Sequence, residues 1–374
     1  MKIACLLRSL EMGGLERQLT GLASFLKQEG HDVIIIKYLD DNFYGDFVSG
    51  HRIPVVHLKR SGGNIGMGIK LAGYIKRHGI DMVIAFGASP NLKACIAKSI
   101  YGNFKLIVSE RNYNIRWWPT DYIRFIAYRQ ADAIVSNSVS QGNLIRRKFS
   151  GGRLGGVAEK SCTIVNFTDH ERFAPSQKEN DAKEPLRIIT TGRVVRRKNV
   201  HGYIKAAHLL RSKGHDFRME WHGLGVETAY YRRCMRLIKR YGLEEVFRIF
   251  PARKRVEDIY STADVFCLPS FYEGTSNAIS EALSCGLPVI CSTVSDNTIN
   301  VEEGRNGWLF DPTDIRSMTD AFERMLGSTE ECRKTYGRNS RSIAVNRLSA
   351  DRFTRQYKEL IDRIQGQFHR CLPV

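Results

Sequence analysis

Short apolar runs alternate with longer amphipathic stretches along most of the chain, and this alternation restricts the fold more than any other feature. Residues 3–7 form the first apolar run, and residues 15–28 after it carry their leucines on one helical face. Alternating strands and helices are typical of βαβ units, whose strands lie parallel in a sheet. The sequence therefore predicts an α/β fold built from doubly wound, Rossmann-like sheets.

The alternation stops once, at residues 169–185, which carry two prolines and almost no apolar periodicity. We interpret them as a linker between a first domain, residues 1–168, and a second domain, residues 186–349. Residues 350–374 begin as an amphipathic helix whose apolar stripe needs a covering surface. The predicted strands are residues 3–7, 33–37, 55–58, 82–86, 106–109, 133–136 and 162–165 in the first domain and residues 186–190, 217–222, 246–250, 265–268 and 288–292 in the second.

The chain of 374 residues carries 57 Lys and Arg against 39 Asp and Glu, a formal net charge of +18. Such a charge favours an anionic partner: a nucleic acid, a phosphate-rich ligand or a membrane surface. The apolar runs are far shorter than the ~18 residues of a membrane-spanning helix, and no secretory signal is recognisable at the N-terminus. We therefore expect a cytosolic protein whose nine cysteines are free thiols, since none stands in a C-x-x-C pair.

Glycine-rich turns follow two of the predicted strands, where doubly wound sheets bind their ligands. Gly13 and Gly14 open the first helix, and Gly223 and Gly225 follow the strand at residues 217–222. Glycine lets the backbone approach a ligand, and the free N–H groups at a helix start favour an anion. A simple tight turn is the alternative. The spacing is not G-x-G-x-x-G, so a dinucleotide fingerprint is absent.

The first strand of the second domain runs into a loop with four cations in six residues, from Arg193 to Lys198. Like charges repel one another, so their convergence is easier to explain if a polyanion such as a diphosphate lies between them. A solvated basic turn is the alternative.

Two glutamates flank the start of a predicted helix further along the second domain. Glu273 lies in the loop after the strand at residues 265–268, and Glu281 lies two turns into the helix, with seven residues between them. A phosphate can bind at the helix N-terminus while the two carboxylates accept hydrogen bonds from hydroxyls on either side. A nucleotide sugar presents this combination of groups.

Together these motifs resemble the GT-B glycosyltransferases of family GT4, along essentially the whole chain. The motifs that carry the resemblance are the Gly13-Gly14 turn, the segment from Gly192-Arg193 to Lys198, the Gly223-x-Gly225 turn and the E-x7-E pair of Glu273 and Glu281. The resemblance implies two Rossmann-like domains facing a central cleft, with the helix of residues 350–374 packing back on the first domain. It also implies retaining transfer from a nucleotide diphosphate sugar, with a UDP-sugar expected.

The resemblance assigns roles to single residues. It implies that Glu273 binds hydroxyls of the donor sugar and that Glu281 binds the ribose. Arg193 and Lys198 would bind the diphosphate and neutralise it as it leaves, which stabilises the developing charge without a metal. We expect no metal and no cofactor beyond the donor, since no D-x-D motif occurs. The remaining residues of the implied donor site are Gly13, Gly14, Gly223, Gly274, Thr275, Ser276 and Asn277.

Two stretches depart from the family pattern. Many members have a histidine near the donor sugar, where this chain has residues 109–114, so Arg111 or Glu110 is the candidate for acceptor activation. Residues 250–253 lack the glycine that usually lies beside the base.

Aromatic and cationic side chains are mixed in residues 116–130, and three cations follow at residues 146–148. Trp and Tyr favour lipid headgroups, and each cation near an anionic leaflet contributes ~1 kcal/mol. The alternative is that Trp117 and Trp118 cap the interior of the domain. Because many bacterial members resembling this chain extend glycans on a lipid carrier, we expect a glycan or polyprenyl-diphosphate-linked acceptor and peripheral contact with the inner face of the cytoplasmic membrane.

Two other functions are compatible with parts of the pattern. An epimerase or hydrolase of UDP-N-acetylhexosamine would share the fold, but it needs a dedicated acid/base, and Glu110 is the only carboxylate in the first-domain loops that suggests one. A nucleic-acid-binding protein would explain the charge of +18, but no recognisable binding module is present. We therefore expect no specific nucleic-acid partner.

Overall fold

The computed structural model describes residues 1–111, 117–151, 154–176 and 185–366. The chain forms two compact units, one of Met1–Asn166 with Asp351–Val374 and one of Phe167–Ala350. Each unit contains one sheet in which every pair of neighbouring strands is parallel. The central strands are buried along their whole length, as expected for sheets covered on both faces.

The first unit has a seven-stranded sheet of order β3-β2-β1-β4-β5-β6-β7. Its elements in chain order are β1 (Lys2–Leu6), α1 (Gly14–Gln28), β2 (Asp32–Lys37), α2 (Gly45–Gly50), β3 (Val55–His57), α3 (Gly63–His78), β4 (Met82–Phe86), α4 (Ala88–Ile100), β5 (Lys105–Glu110), α5 (Pro119–Ala127), β6 (Ala133–Ser136), α6 (Val139–Lys148), α7 (Gly156–Glu159) and β7 (Ser161–Thr163).

The second unit has a six-stranded sheet of order β10-β9-β8-β11-β12-β13. Its elements are β8 (Leu186–Thr191), α8 (Val200–Ser212), β9 (Phe217–His222), α9 (Ala229–Arg240), β10 (Phe247–Phe250), α10 (Glu257–Tyr260), β11 (Val265–Leu268), α11 (Asn277–Ser284), β12 (Val289–Ser292), α12 (Asn297–Asn300), β13 (Gly307–Phe310), α13 (Ile315–Leu326) and α14 (Glu330–Arg347). The last helix, α15 (Ala350–Ile364), belongs to the first unit from Asp351 onward.

Both sheets reverse their strand order at a central strand. In the first unit β1 lies between β2 and β4, and in the second β8 lies between β9 and β11. Loops on either side of such a reversal separate, so they leave room for a ligand at the carboxyl ends of the strands. In the second unit the flanking loops are residues 192–199 and 269–276, which carry the predicted cations and Glu273.

The predicted fold class is confirmed, since both sheets are doubly wound and parallel. Every predicted strand is present, and four of them have the predicted bounds. One strand, β13, was not predicted, because it is short and pairs with β12 alone at the sheet edge. It begins at Gly307, where a Cβ would lie 1.7 Å from the oxygen of Val289.

The predicted linker, residues 169–185, is described only in part, because residues 177–184 lie outside the described ranges. Residues 169–176 belong to the second unit. The ring of Phe173 is buried and meets the ring of Tyr260 edge-on, with 5.8 Å between centroids. This part of the segment is thus packed against the second unit.

Helix α15 packs its apolar face against the first unit. Phe353 meets Phe25 edge-on at 6.4 Å, and the ring of Tyr357 lies 6.4 Å from that of Phe86. The residues buried on this face are Phe353, Tyr357, Leu360 and Ile361. Of the predicted segment 350–374, residues 367–374 lie outside the described ranges.

Two expectations about membranes and cysteines concern the whole chain. Within the described ranges, none of the helices combines the length and apolar character that crossing a bilayer requires. Eight of the nine cysteines are described and are free thiols, and Cys371 lies outside the described ranges.

Tyr357→Ala tests whether the first unit depends on α15. Removing the ring leaves a cavity beside Phe86 and Phe353, so we expect the free energy of unfolding to fall by about 3 kcal/mol. Urea denaturation measures this. Glu359→Ala, at an exposed position of the same helix, is the control and should change the midpoint little. Equal midpoints for both variants would contradict the prediction.

Candidate functional site

A buried ion pair lies where the second sheet reverses its strand order. Lys198 Nζ lies 2.6 Å from Glu273 Oε1, and Arg197 Nη1 lies 3.4 Å from Glu273 Oε2. The Glu273 side chain is only 8% exposed. Two loops that are 75 residues apart in sequence thus place two cations on one carboxylate.

The pKa of Glu273 reflects these contacts. Burial by itself raises it, but the charge of Lys198 and its hydrogen bond outweigh burial, and Arg197 contributes further. The net result is a pKa below the ordinary value for glutamate. Glu273 is therefore a charged acceptor for hydroxyl groups and a weak proton acceptor.

Glycines make the loop after β8 possible. Gly192 has φ +153 and Gly223 lies against it, so that a Cβ on Gly223 would come within 1.8 Å of the Gly192 oxygen. The indole N–H of Trp221 also donates to that oxygen, at 2.8 Å. Gly223, a predicted donor-site residue, thus holds two strand-end loops together at the carboxyl edge of the sheet.

The end of the same loop is fixed by Asn199. Its backbone is left-handed, with φ 57, and its side chain caps α8 by accepting from Gly202 N at 3.2 Å. Its Nδ2 donates to the Pro312 oxygen at 2.9 Å. Lys198 precedes this residue and is buried, whereas the predicted Arg193 is exposed on the loop.

Helix α11 begins four residues after Glu273. Ser276 is its N-cap and accepts from the Ile279 N–H, and Asn277 is the first helical residue. Gly274 and Thr275, which precede the cap, are partly exposed. Glu281 is buried in the helix, and its Oε2 accepts from the hydroxyl of Tyr260 at 2.8 Å. The predicted E-x7-E residues are thus both buried carboxylates, one on each side of the first turn of α11.

The first unit carries the other predicted turn. Gly13 has an extended backbone and precedes α1, which starts at Gly14. The hydroxyl of Tyr44 donates to the Gly13 oxygen at 3.2 Å. This turn follows β1 and therefore lies at the strand reversal of the first sheet.

Arg111, one of the two candidates for acceptor activation, is partly buried among residues of the first unit. It donates to Asn166 Oδ1 at 2.5 Å and to the Tyr357 hydroxyl at 3.3 Å, and its guanidinium carbon lies 3.7 Å from the Phe86 ring centroid. These contacts tie β5 to α15. The residues that follow it, 112–116, lie outside the described ranges.

Glu110, the other candidate, is buried. It accepts a hydrogen bond from the Tyr128 hydroxyl and lies 3.3 Å from Arg124 Nε. Burial raises its pKa, and Arg124 only partly offsets this. Near the end of β10, the ring of Phe250 stacks on His222 at 4.9 Å, in the stretch where the family glycine is missing.

The two adjacent tryptophans of the aromatic segment have different environments. The ring of Trp117 packs on Phe125 at 5.2 Å and on Phe149 at 5.4 Å, so it is partly buried against the core. Trp118 is 62% exposed. Helix α5 after it exposes Ile123 and Ile126 by 61% and 52%. The first unit therefore carries an exposed apolar patch, which we define as Trp118, Ile123 and Ile126.

Sequence patterns did not assign a role to Arg197 or Tyr260. Arg197 lies within the predicted cation cluster, which was a usable signal, but only the tertiary structure shows it on Glu273. Tyr260 lies in a short helix between β10 and β11, and nothing in its local sequence indicates a contact with Glu281.

Known families match both units of the chain. The model described as Glycosyltransferase Family 4 matches residues 12–172, and the model described as Glycosyl transferases group 1 matches residues 171–342. Together these ranges include the strand reversal of the second sheet and all the predicted donor-site residues.

Both units of the chain therefore match glycosyltransferase families, the first unit family 4 and the second unit group 1. The chain is 32% identical over 174 residues to WcaL of Escherichia coli, a glycosyltransferase assigned to colanic acid biosynthesis, with 44% of this chain and 42% of WcaL covered. The match thus spans about two fifths of that relative's length.

Two further proteins extend the comparison. The chain is 24% identical to a Campylobacter jejuni N-acetylgalactosaminyltransferase named for a diphospho-undecaprenol acceptor, over 74% of this chain and 75% of the relative. It superposes on HepE from Anabaena, solved in complex with UDP and glucose, with a TM-score of 0.83 and 20% identity, covering 97% of this chain and 99% of HepE. These matches identify the fold as GT-B and favour neither an epimerase nor a nucleic-acid-binding protein.

Lys198→Met tests the buried pair by its pH dependence. In the wild type the pKa of Glu273 is lower in the folded protein than in the unfolded chain, where it is about 4.3. Glu273 therefore stabilises the fold above about pH 4.3, and this stabilisation is lost as pH falls through the folded pKa. Without Lys198, burial should raise that pKa, so the variant should lose stability as pH rises. We expect the free energy of unfolding of the variant to lie about 3 kcal/mol below that of the wild type near neutral pH, and this difference to shrink toward pH 4.

Urea denaturation at pH 4, 5.5 and 7 measures this difference. Arg193→Met removes an exposed cation of the same loop and should show no such dependence. A deficit for Lys198→Met that is the same at all three pH values would contradict the prediction.

Proposed function

We propose that this chain is a retaining, metal-independent glycosyltransferase that moves a sugar from a nucleotide diphosphate sugar, a UDP-sugar, to a lipid-linked or surface-glycan acceptor. The observation that carries the proposal is the Lys198–Glu273 pair beside the N-terminus of α11. Cations, a helix N-terminus and two buried carboxylates together match the phosphates and hydroxyls of such a donor. The HepE structure, solved with UDP and glucose, supports the choice of nucleotide.

The leaving diphosphate gains negative charge as the glycosidic bond breaks. Lys198 is held by Glu273 within the second unit, which we call the donor unit, so its ammonium is positioned before the donor binds. Arg193, exposed on the same loop, can turn toward the diphosphate without losing a buried contact. Preorganised positive charge lowers the barrier because it needs no rearrangement in the transition state. These side chains would supply the charge that a metal ion supplies in other transferases.

Glu273 suits the binding of sugar hydroxyls better than proton abstraction. A general base works best with a pKa near the working pH, and the pKa of Glu273 is lowered instead. Inverting transfer needs a base that activates the acceptor for direct displacement, and the lowered pKa makes Glu273 unsuited to that role.

A panel of nucleotide sugars tests the proposal. A donor at ~100 times its dissociation constant adds ~2.7 kcal/mol to stability, so the true donor should raise the melting temperature above that of its competitors. The product of transfer should keep the anomeric configuration of the donor by NMR, and EDTA should leave the rate unchanged. Stabilisation by no nucleotide sugar would overturn the proposal.

Single substitutions in the donor unit should separate chemistry from binding. We expect Glu273→Ala and Lys198→Ala to lower kcat by at least ~100-fold, because each removes a group aimed at the reacting part of the donor. Glu281→Ala should raise KM for the donor more than it lowers kcat. Steady-state kinetics with circular dichroism as a check of folding measures this.

Lys205→Ala is the matched control, because Lys205 is an exposed lysine of α8 in the same unit. It should have wild-type kinetics. Equal losses of kcat at saturating donor in all three site variants would contradict this division of roles.

The acceptor is proposed to be lipid-linked. The Campylobacter relative is named for a diphospho-undecaprenol acceptor, and such a substrate lies in the inner leaflet of the cytoplasmic membrane. The exposed patch of Trp118, Ile123 and Ile126 offers apolar side chains to the headgroup region. Arg146, Arg147 and Lys148 end α6, and Lys148 Nζ lies 5.5 Å from the Tyr122 ring. Lys148 thus links the cationic end of α6 to α5.

Liposome sedimentation tests this membrane contact. Binding should require anionic lipid and fall as salt rises, since each cation contributes ~1 kcal/mol near an anionic leaflet. Replacing Arg146, Arg147 and Lys148 by Ala should weaken it by at least tenfold. A control that removes three exposed cations of the same unit, Lys70, Lys76 and Arg77, should change it less. Equal binding to neutral vesicles would overturn the proposal.

A further inference from the structure

A buried tyrosine hydroxyl lies beside Glu281. Tyr260 is 1% exposed, and its hydroxyl lies 2.8 Å from Glu281 Oε2 and 2.6 Å from Thr191 Oγ1. These three residues come from α10, α11 and the carboxyl end of β8. The hydroxyl therefore joins the strand at the sheet reversal to the helix that carries Glu281.

The chemistry of the groups fixes the direction of these hydrogen bonds. The Glu281 carboxylate oxygen, at 2.8 Å, and the Ala278 backbone oxygen, at 3.3 Å, can only accept, so the single proton of the Tyr260 hydroxyl is donated chiefly to the nearer, charged Glu281. The Thr191 hydroxyl then donates to the oxygen of Tyr260. Burial, and then the charge of Glu281, raise the pKa of Tyr260 well above its ordinary value. The tyrosine thus keeps its proton and remains a donor at any working pH.

Packing fixes the ring of Tyr260. It meets Phe173 edge-on at 5.8 Å and Phe266 at 5.7 Å. Phe173 is itself held through its backbone oxygen, which accepts from the Ser284 hydroxyl at 2.8 Å. With its ring and its hydroxyl both restrained, Tyr260 allows Glu281 Oε2 little freedom.

We propose that Tyr260 is a positioning residue for nucleotide recognition: it holds the Glu281 carboxylate in the orientation that accepts hydrogen bonds from the ribose hydroxyls of the donor. This rests on the proposed function, in which Glu281 binds the ribose. Loss of the Tyr260 hydroxyl should therefore affect only recognition of the ribose. A Glu281 carboxylate that is free to rotate loses its contacts with the ribose, whereas the contacts of the diphosphate with Lys198 stay unchanged.

Isothermal titration of UDP and of 2′,3′-dideoxyuridine 5′-diphosphate tests this. Tyr260→Phe keeps the ring and removes the hydroxyl, so we expect it to weaken UDP binding about tenfold, the effect of one charge-assisted hydrogen bond. Binding of the dideoxy nucleotide, which has no ribose hydroxyls to contact Glu281, should weaken by less than about twofold. In the background of Glu281→Gln, the same substitution should add little.

Matched variants keep the result interpretable. Tyr203→Phe removes another buried hydroxyl of this unit, from a ring that packs on Trp221, Phe247 and Phe322, and should bind both nucleotides like the wild type. Thr191→Val removes the hydroxyl that donates a hydrogen bond to Tyr260 and should weaken UDP binding about threefold. This variant tests the chain of hydrogen bonds even if Tyr260→Phe folds poorly.

Two failures are distinguishable. If the wild type binds UDP tightly and Tyr260→Phe and Thr191→Val keep its full preference for UDP over the dideoxy nucleotide, the positioning role is overturned and the proposed function stands. Equal weakening of both nucleotides would also overturn it, since it would indicate a general loss of structure. If the wild type binds neither nucleotide, the proposed donor and the inference both fall.

Discussion

The parallel pairing of β8 with β11 is the constraint on which the proposed donor site depends. Val265 and Phe266 lie in register with Ile188 and Ile189, and this register brings the loop after each strand to the same edge of the sheet. The Lys198–Glu273 ion pair forms across that edge. Because neither charge would be stable there without its partner, the pairing of apolar strands makes a buried polar site possible.

The donor unit contains two buried carboxylates whose surroundings differ. Glu273 is held by two cations, whereas the contact of Glu281 with Tyr260 comes from a neutral hydroxyl. The cations on Glu273 bring positive charge to this edge of the sheet, and the hydroxyl on Glu281 orients its carboxylate. The site thus combines a cationic part, suited to phosphates, with an anionic part, suited to hydroxyls.

The first unit uses its buried polar groups for architecture. Arg111 links β5 to α15 through Tyr357 and to Asn166, and Glu110 is enclosed by Tyr128 and Arg124. Each charge has partners from elements distant in sequence, which stabilises a burial that would otherwise be costly. The surface of this unit carries the features proposed for membrane contact: the exposed patch of Trp118, Ile123 and Ile126 and the cations that end α6.

The sequence by itself determined the fold class, the strands at both reversals and the residue types of the donor site, because apolar periodicity and glycine or charge clusters are local signals. It could not separate Trp117 from Trp118, since one residue along the chain decides which ring packs against the core. Only the tertiary structure placed Arg197 on Glu273, Tyr260 on Glu281 and Arg111 on Tyr357. Those contacts join residues between 21 and 246 positions apart, and strand order and helix packing, which no local pattern encodes, bring them together.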